Sequence, residues 1–426
     1  MKETSIEEGV LHPVVHTGKA FYAFVIVILA LLTWFGYSWY LQLTQGLVVT
    51  GMRDIPGGSP WGIYLSNFIF FIGISHAGIA ISAVVRLMKL EAYKPVARMA
   101  ELVTVVSLPM AALSIVFDLG RPDRILHLFS FGRYQSPLLW DLSAITTYFL
   151  ASAIYLYLSM RADMTECAEK VPKRKWLYKL LALGYTNTEE EKRKHEKALR
   201  WMAIAIVPIM VTVHTVVSWV FGLMVSRPGW YTALFGIYFV IGAIASGLAI
   251  VITIAWLFRK IYAWEKYIKD EVFRGLGWAL SIILILYLYL WISEQITVMY
   301  AGPEDEVTIS QALMFGRLAP LFWITVIVGF VFPAILLFIP MFKPEAFSVK
   351  RTVFASILVN VFLFIKRIII VVPSLLYPRL YPPGQYMPTI TEIAIMLGTF
   401  WIAIALYVGF VKMFPIMELE IERRQG

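Results

Sequence analysis

Charge is scarce in this chain. Of its 426 residues only 15% are charged, while 59% are hydrophobic. A soluble domain carries about 25% charged residues, so a water-soluble globular fold is excluded. Cysteine is scarcer still: Cys167 stands alone. That excludes an internal disulfide, a thiolate zinc site and an iron–sulfur cluster ligated within the chain. Walker, Rossmann and HExxH patterns are missing, and with them the signatures of ATP-driven transport, dinucleotide binding and zinc proteolysis. Strand-like alternation is missing too. Phe24-Val25-Ile26-Val27-Ile28-Leu29 is apolar on every side, whereas a membrane β-barrel alternates. The polar stretch before Gly18, with Glu3, Glu7 and Glu8, has no basic–apolar–cleavage pattern, so no removed signal peptide is expected.

What is present is apolar length. The mean hydropathy is +0.73, and about 20 residues of helix cross the roughly 30 Å hydrocarbon core. Ten such spans are read near 20–42, 60–87, 95–117, 137–160, 200–224, 233–258, 276–300, 316–341, 351–375 and 390–414. Each must be helical, because lipid cannot satisfy an open backbone. The fold class is an all-α integral membrane protein.

The net charge of +9 points to topology and lipid headgroups rather than nucleic acid, since the basic residues fall in short stretches between spans. Assigned to the nearer helix end, 28 of the 37 Lys and Arg lie on one face. The positive-inside rule then places both termini in the cytoplasm of a multi-pass cell-membrane protein. The long cytoplasmic loop 161–199, with Lys173 and Lys192, reads as a solvated, partly helical hairpin.

The chain repeats itself. Gly73, Gly78 and Ala80 in the second span match Gly242, Gly247 and Ala249 in the sixth at one offset, and Trp61 matches Trp230. Pro137-Leu138-Leu139-Trp140 opens the fourth span as Pro320-Leu321-Phe322-Trp323 opens the eighth. Two parallel-repeat four-helix bundles, spans 2–5 and 6–9, are therefore expected, flanked by spans 1 and 10. The corresponding segments are 1–19 (N-terminal), 20–59 (first span and outer loop), 60–224 (first bundle), 225–375 (second bundle) and 376–426 (tenth span and tail).

Ionisable groups at membrane depth are costly, so each is a candidate for function. Asp141, His214, Glu294, Lys366 and Arg367 fall toward the outer leaflet, and Glu392 opens the tenth span there. His76 is the exception, roughly 22 Å below the outer end of its span by helical rise. A site biased to one face suits a lipid-soluble substrate, such as a quinone, whose headgroup meets an external partner. The competing reading of each residue is a buried ion pair, for example Asp141 with Arg367. His76 and His214 are the only buried histidines expected, at different depths, which disfavours a bis-histidine haem. At the outer end of the third span, Asp118-Leu119-Gly120-Arg121-Pro122-Asp123-Arg124 makes a stiff turn, suited to docking a partner or to facing lipid.

Four stretches carry a resemblance: Pro60-Trp61-Gly62-Ile63-Tyr64; Asp118-Leu119-Gly120-Arg121-Pro122; Ser136-Pro137-Leu138-Leu139-Trp140-Asp141; and Val213-His214-Thr215-Val216-Val217-Ser218-Trp219, followed by Ser226-Arg227-Pro228-Gly229-Trp230. They resemble the NrfD/PsrC family, the quinone-interacting membrane subunits of respiratory iron–sulfur oxidoreductases. Ten spans are similar to its long branch, with DsrP of the sulfite-reduction-associated DsrMKJOP complex and the Hme menaquinol-oxidising complex. The resemblance implies a menaquinone or menaquinol site near the outer face and no haem or cluster in this chain. It also implies an extracytoplasmic ferredoxin-like iron–sulfur subunit as electron partner, within a complex of other membrane and cytochrome subunits.

On this reading Trp61, Tyr64, Asn67, Asp118 and Arg121 line the quinone site. His214 accepts the proton, with Asp141 or Arg121 orienting it. Glu294, Lys366, Arg367 and His76 serve as relay or ion pairs, and no metal is bound. The alternatives left open are a secondary transporter and an anchor that binds quinone without turnover.

Overall fold

The structure is a computed structural model and describes residues 9–56, 61–378, 380 and 382–421. Glu3, Glu7, Glu8 and Pro60 of the stretches above lie outside the described residues. Ten helices are long and apolar enough to cross a membrane. We number them α1 (Lys19–Gln45), α2 (Ile63–Leu87), α3 (Lys94–Asp118), α4 (Pro137–Lys170), α5 (Glu189–Gly222), α6 (Phe235–Ile261), α7 (Asp270–Ala301), α8 (Ala319–Phe342), α9 (Val349–Leu376) and α10 (Ile390–Met413). No strand occurs among the described residues.

The helices close into two rings of four. Helices α2, α3, α4 and α5 pack around one axis, and α6, α7, α8 and α9 around a second. The bundles meet chiefly through α2 and α6, with α9 also against α2. Helix α10 lies beside α1 and α3 outside the rings. At the seam Trp61 and Trp230 stack with ring centroids 6.0 Å apart.

Local chemistry sets the ends. Thr188 caps α5 by accepting from Glu191 N–H, and three glutamates in that first turn suit its positive dipole end. The 161–199 segment is consequently more helical than a solvated hairpin. Helix α4 runs on to Lys170, a short helix Lys175–Ala182 packs on it, and α5 starts at Glu189. Thr389 and Glu392 form a reciprocal capping box on α10. Within α8, residues Thr325–Val331 widen into a π-helical stretch just before Pro333. Proline has no N–H to give to the preceding turn, and the wider turn accommodates that loss.

Successive crossings put the C-terminal ends of α2, α4, α6, α8 and α10 on one face, with the basic loops; we call it the basic face. There the segment after α10 folds under the first bundle. Arg98 donates to the carbonyls of Pro415 (3.2 Å) and Met417 (2.9 Å) and pairs with Asp163 at 2.7 Å. On the opposite face Gly51 N–H donates to Glu392 at 3.0 Å, and Thr389 reaches the Val49 carbonyl at 2.9 Å.

Candidate functional site

The seam between the bundles holds the most unusual polar groups. His214 on α5 is fully buried, and neither ring nitrogen has a hydrogen-bond partner among the described residues. Its ring meets that of His76 on α2 edge to face, with centroids 4.3 Å apart. The two histidines are therefore at one depth, which corrects the separation expected from counting residues. Helix α5 ends at Gly222, short of the level of Trp61. Phe221 abuts Trp230, which lies in the loop that covers this end of α5 and stacks on Trp61.

His76 is held differently. Its Nδ1 lies 2.9 Å from the Ile72 carbonyl and its Nε2 2.9 Å from the Met210 carbonyl. A neutral imidazole carries one N–H and can donate to only one of them; an imidazolium satisfies both. The pair is thus asymmetric: one ring with two carbonyls to donate to, the other with two free nitrogens.

Arg367 on α9 completes the cluster. It is fully buried, and all three guanidinium nitrogens lack partners among the described residues. Its guanidinium lies over the Phe239 ring at 5.2 Å, and His214 packs on the same ring at 6.0 Å. The repeat-related glycines make room for it. A Cβ on Gly242 would lie 3.1 Å from Arg367 Nη2 and 2.8 Å from Tyr287, and one on Gly73 3.7 Å from that nitrogen. Arg367, on a helix of the second bundle, points into the seam. The Asp141–Arg367 pair does not form. Asp141 is buried on α4, and one of its carboxylate oxygens has no partner among the described residues.

Lys366 turns the other way, into the second bundle. Its ammonium sits 3.8 Å over the Trp291 ring and 5.3 Å over that of Tyr238. With Glu294, Glu306 and Ser374 it lines a cavity of about 50 Å³, room for a few water molecules.

The residues expected to line a quinone site are dispersed. Tyr64 donates to Gln42 at 2.7 Å, and Gln42 to the Phe117 carbonyl at 2.7 Å. Asn67 donates to Ser114 and to Thr399 on α10. Both face α1, α3 and α10, away from His214. Asp118 is buried with both oxygens unpartnered among the described residues. Arg121 is the clear misfit. Its side chain is 64% exposed and bound to Asp123 at 2.9 Å, a neighbour that holds the Asp123 carboxyl below its ordinary range. It cannot orient His214. Tyr386 was missed: its hydroxyl accepts from Ile63 N–H at 2.8 Å and donates to Glu392, and burial raises its phenol pKa. No sequence pattern pairs residues so far apart.

Also missed was a charged group inside the first bundle near the basic face. Glu101, Arg98 and Asp163 are all buried. Their positions near the expected ends of spans made them read as ordinary flanking charges. Among the described residues, no three His, Cys, Asp or Glu side chains come together as a metal site.

Residues 49–379 match the family described as polysulphide reductase, NrfD. The chain belongs to the NrfD family. Three relatives align almost end to end. A putative dimethyl sulfoxide reductase membrane subunit of Halobacterium salinarum is 27% identical, over 91% of this chain and 90% of its own length. A selenate reductase subunit of Mesobacillus selenatarsenatis is 25% identical, over 91% and 92%. An Hdr-like menaquinol oxidoreductase integral membrane subunit of Archaeoglobus fulgidus is 24% identical, over 93% and 94%. NrfD membership, and the naming of the first and third relatives as membrane subunits, agree with the resemblance read from the four stretches.

Proposed function

We propose that this NrfD chain is the quinone-binding membrane subunit of a respiratory electron-transfer complex. It exchanges electrons between menaquinone or menaquinol and an extracytoplasmic ferredoxin-like iron–sulfur subunit, beside other membrane and cytochrome subunits, in sulfite or sulfur metabolism. The basic face and both termini are cytoplasmic, which puts the Arg121 turn on the side of the iron–sulfur subunit, as a docking surface.

The observation that carries the reading is the pairing of His214, with two free ring nitrogens, and Arg367, with three free guanidinium nitrogens. Buried polar groups without partners cost free energy. A ligand bearing hydroxyl and carbonyl oxygens supplies the missing acceptors and donors, so the residues fit a quinone headgroup. Oxidation of a bound quinol releases two protons and two electrons. His214 takes a proton through a ring nitrogen that has no partner among the described residues. Arg367 holds a ring oxygen. Trp61, stacked on Trp230, stands at the outer end of the seam, and Asp141 is a second acceptor. Glu294 and Lys366 serve a relay in the second bundle. The Archaeoglobus relative's name, a menaquinol oxidoreductase subunit, supports menaquinol over other quinols.

The test is quinol-dependent reduction of the partner cluster in the intact complex. His214→Ala is expected to leave the complex assembled and to slow this step by about 10²–10⁴-fold. An unchanged rate in an assembled complex rejects the assignment of His214.

A further inference from the structure

Between the histidine pair and the basic face, the first bundle contains a run of buried hydroxyls that the reading above leaves unused. Tyr148, Ser152, Tyr155 and Ser159 recur at helical spacing along one face of α4, and all are buried. Opposite them stand Ser75 and Ser82 on α2, and Thr104 and Glu101 on α3. At one end the Tyr148 ring lies 5.5 Å from the His76 ring, and its hydroxyl donates to the Ser75 carbonyl at 3.1 Å. Thr104 donates to the same carbonyl and accepts from Gly78 N–H.

At the other end is Glu101. One carboxylate oxygen accepts from Ser82 and the other from Ser159 at 2.6 Å. Ser82 lies 3.2 Å from the Tyr155 hydroxyl, which accepts from Arg86 Nε at 3.2 Å. Arg86 pairs with Glu418 at 3.4 Å, where both side chains are partly exposed. Hydrogen bonds thus link Glu101 to Tyr155, which stands beside the partly exposed Arg86–Glu418 pair.

We propose, resting on the quinone reading, that Glu101 is the proton-carrying group of a path joining His76 and His214 to the basic face through Ser82 and Tyr155. The hydrogen-bond polarity supports this. Arginine only donates and an ionised carboxylate only accepts. The two hydroxyls between them must therefore both point toward Glu101, Tyr155 to Ser82 and Ser82 to Glu101. A protonated Glu101 donates to Ser82 and reverses that order, and Tyr155 then donates to water beside Glu418, because Arg86 cannot accept. Glu101 lies one turn of α3 from Thr104, about 4.5–5.4 Å along the helix, a distance that a carboxyl rotation or one water molecule bridges. In the step toward the basic face an N–H bond on His76 breaks as an O–H bond forms on Glu101, water carrying the proton between them; that O–H bond then breaks as Ser82 takes the proton and gives its own to Tyr155, which gives its own to water beside the partly exposed Arg86–Glu418 pair. The electrons take no part and leave toward the iron–sulfur partner. Serines and tyrosines also hold membrane helices together. That role does not require an ionisable group in place of an amide, and an ionisable group at membrane depth carries an extra cost.

The experiment uses the intact complex in sealed vesicles with a pH-sensitive dye on the basic-face side. Glu101→Gln keeps the shape and offers an amide oxygen to the serines. It is expected to cut quinol-driven proton exchange on that side, and steady-state turnover with it, about tenfold or more. Tyr155→Phe keeps the ring and is expected to give a smaller loss of the same kind. Independently of turnover, dicyclohexylcarbodiimide is expected to modify Glu101 in the membrane-embedded wild-type protein, read by peptide mass. Wild-type proton exchange in an assembled Glu101→Gln complex overturns the proposal. Absence of any quinol-dependent electron transfer in the wild type instead overturns the quinone reading, and the two failures are distinguishable.

Discussion

The imidazole of His76 meets that of His214 edge to face at 4.3 Å, at an interplanar angle of 69°. Each ring comes from a different helix of the first bundle, and of the two only His76 has partners for its nitrogens among the described residues. Contact at this range sets His76 against the proposed proton acceptor, so the inner position of His76 in its helix does not remove it from the site. His76→Ala is expected to slow quinol oxidation by the intact complex about tenfold or more. A variant that turns over at the wild-type rate would separate His76 from the site.

The same contact bears on haem. Two rings in edge contact leave no space for a porphyrin between them, and the chain has one cysteine. The purified chain is expected to show no Soret band and no cluster signal. A stoichiometric haem b spectrum would refute this.

Asp163 anchors the basic-face end of the first bundle. It pairs with Arg98 at 2.7 Å, both buried, and accepts from Leu419 N–H. Removing one partner of a buried pair leaves the other charge uncompensated and costs about 3–5 kcal/mol. Asp163→Ala is expected to unfold at clearly lower temperature or denaturant concentration in detergent; unchanged unfolding would show that Arg98 finds other partners.

Gly78 is a packing requirement of α2 against α3. A Cβ there would overlap the Ala100 carbonyl oxygen and Thr104 Oγ1, and one of those atoms is backbone. Gly78→Ala is expected to reduce the yield of folded protein, measured as the monodisperse fraction on gel filtration. Normal yield would mean that the helices separate at little cost.

Orientation is tested by single-cysteine labelling in sealed cells. Cys167 is buried, which keeps the background low. Cysteines replacing Arg121 and Glu304 are expected to react with an impermeant reagent; those replacing Lys173 and Lys192 are expected to react only after permeabilisation. The reverse pattern would invert the topology and move the iron–sulfur partner to the other face.

The spans were legible because hydrocarbon imposes one requirement on every crossing, and runs such as Phe24–Leu29 meet it. Trp61 and Trp230, matched at one offset in the sequence, stack at the seam, a contact that the offset alone does not require. Depth was not legible: counting residues assumes that helices end level, and α5 does not. Direction was not legible either. Lys366 and Arg367 are neighbours in sequence, yet successive residues on a helix do not face the same way, and Lys366 enters the second bundle while Arg367 enters the seam. Glu101, Arg98 and Asp163 were overlooked because a charge near the end of an apolar run is normally wet. Here α4 runs past its expected end and the segment after α10 covers the group.

That covering segment has a consequence for biogenesis. Arg98, on the third crossing, has for acceptors the carbonyls of Pro415 and Met417, which leave the ribosome more than 300 residues later. Until then its guanidinium has only the fourth crossing to pair with, through Asp163 and the Ser159 carbonyl. The first bundle is inserted early but locked last, and nascent chains stopped short of residue 415 leave it open at the basic face.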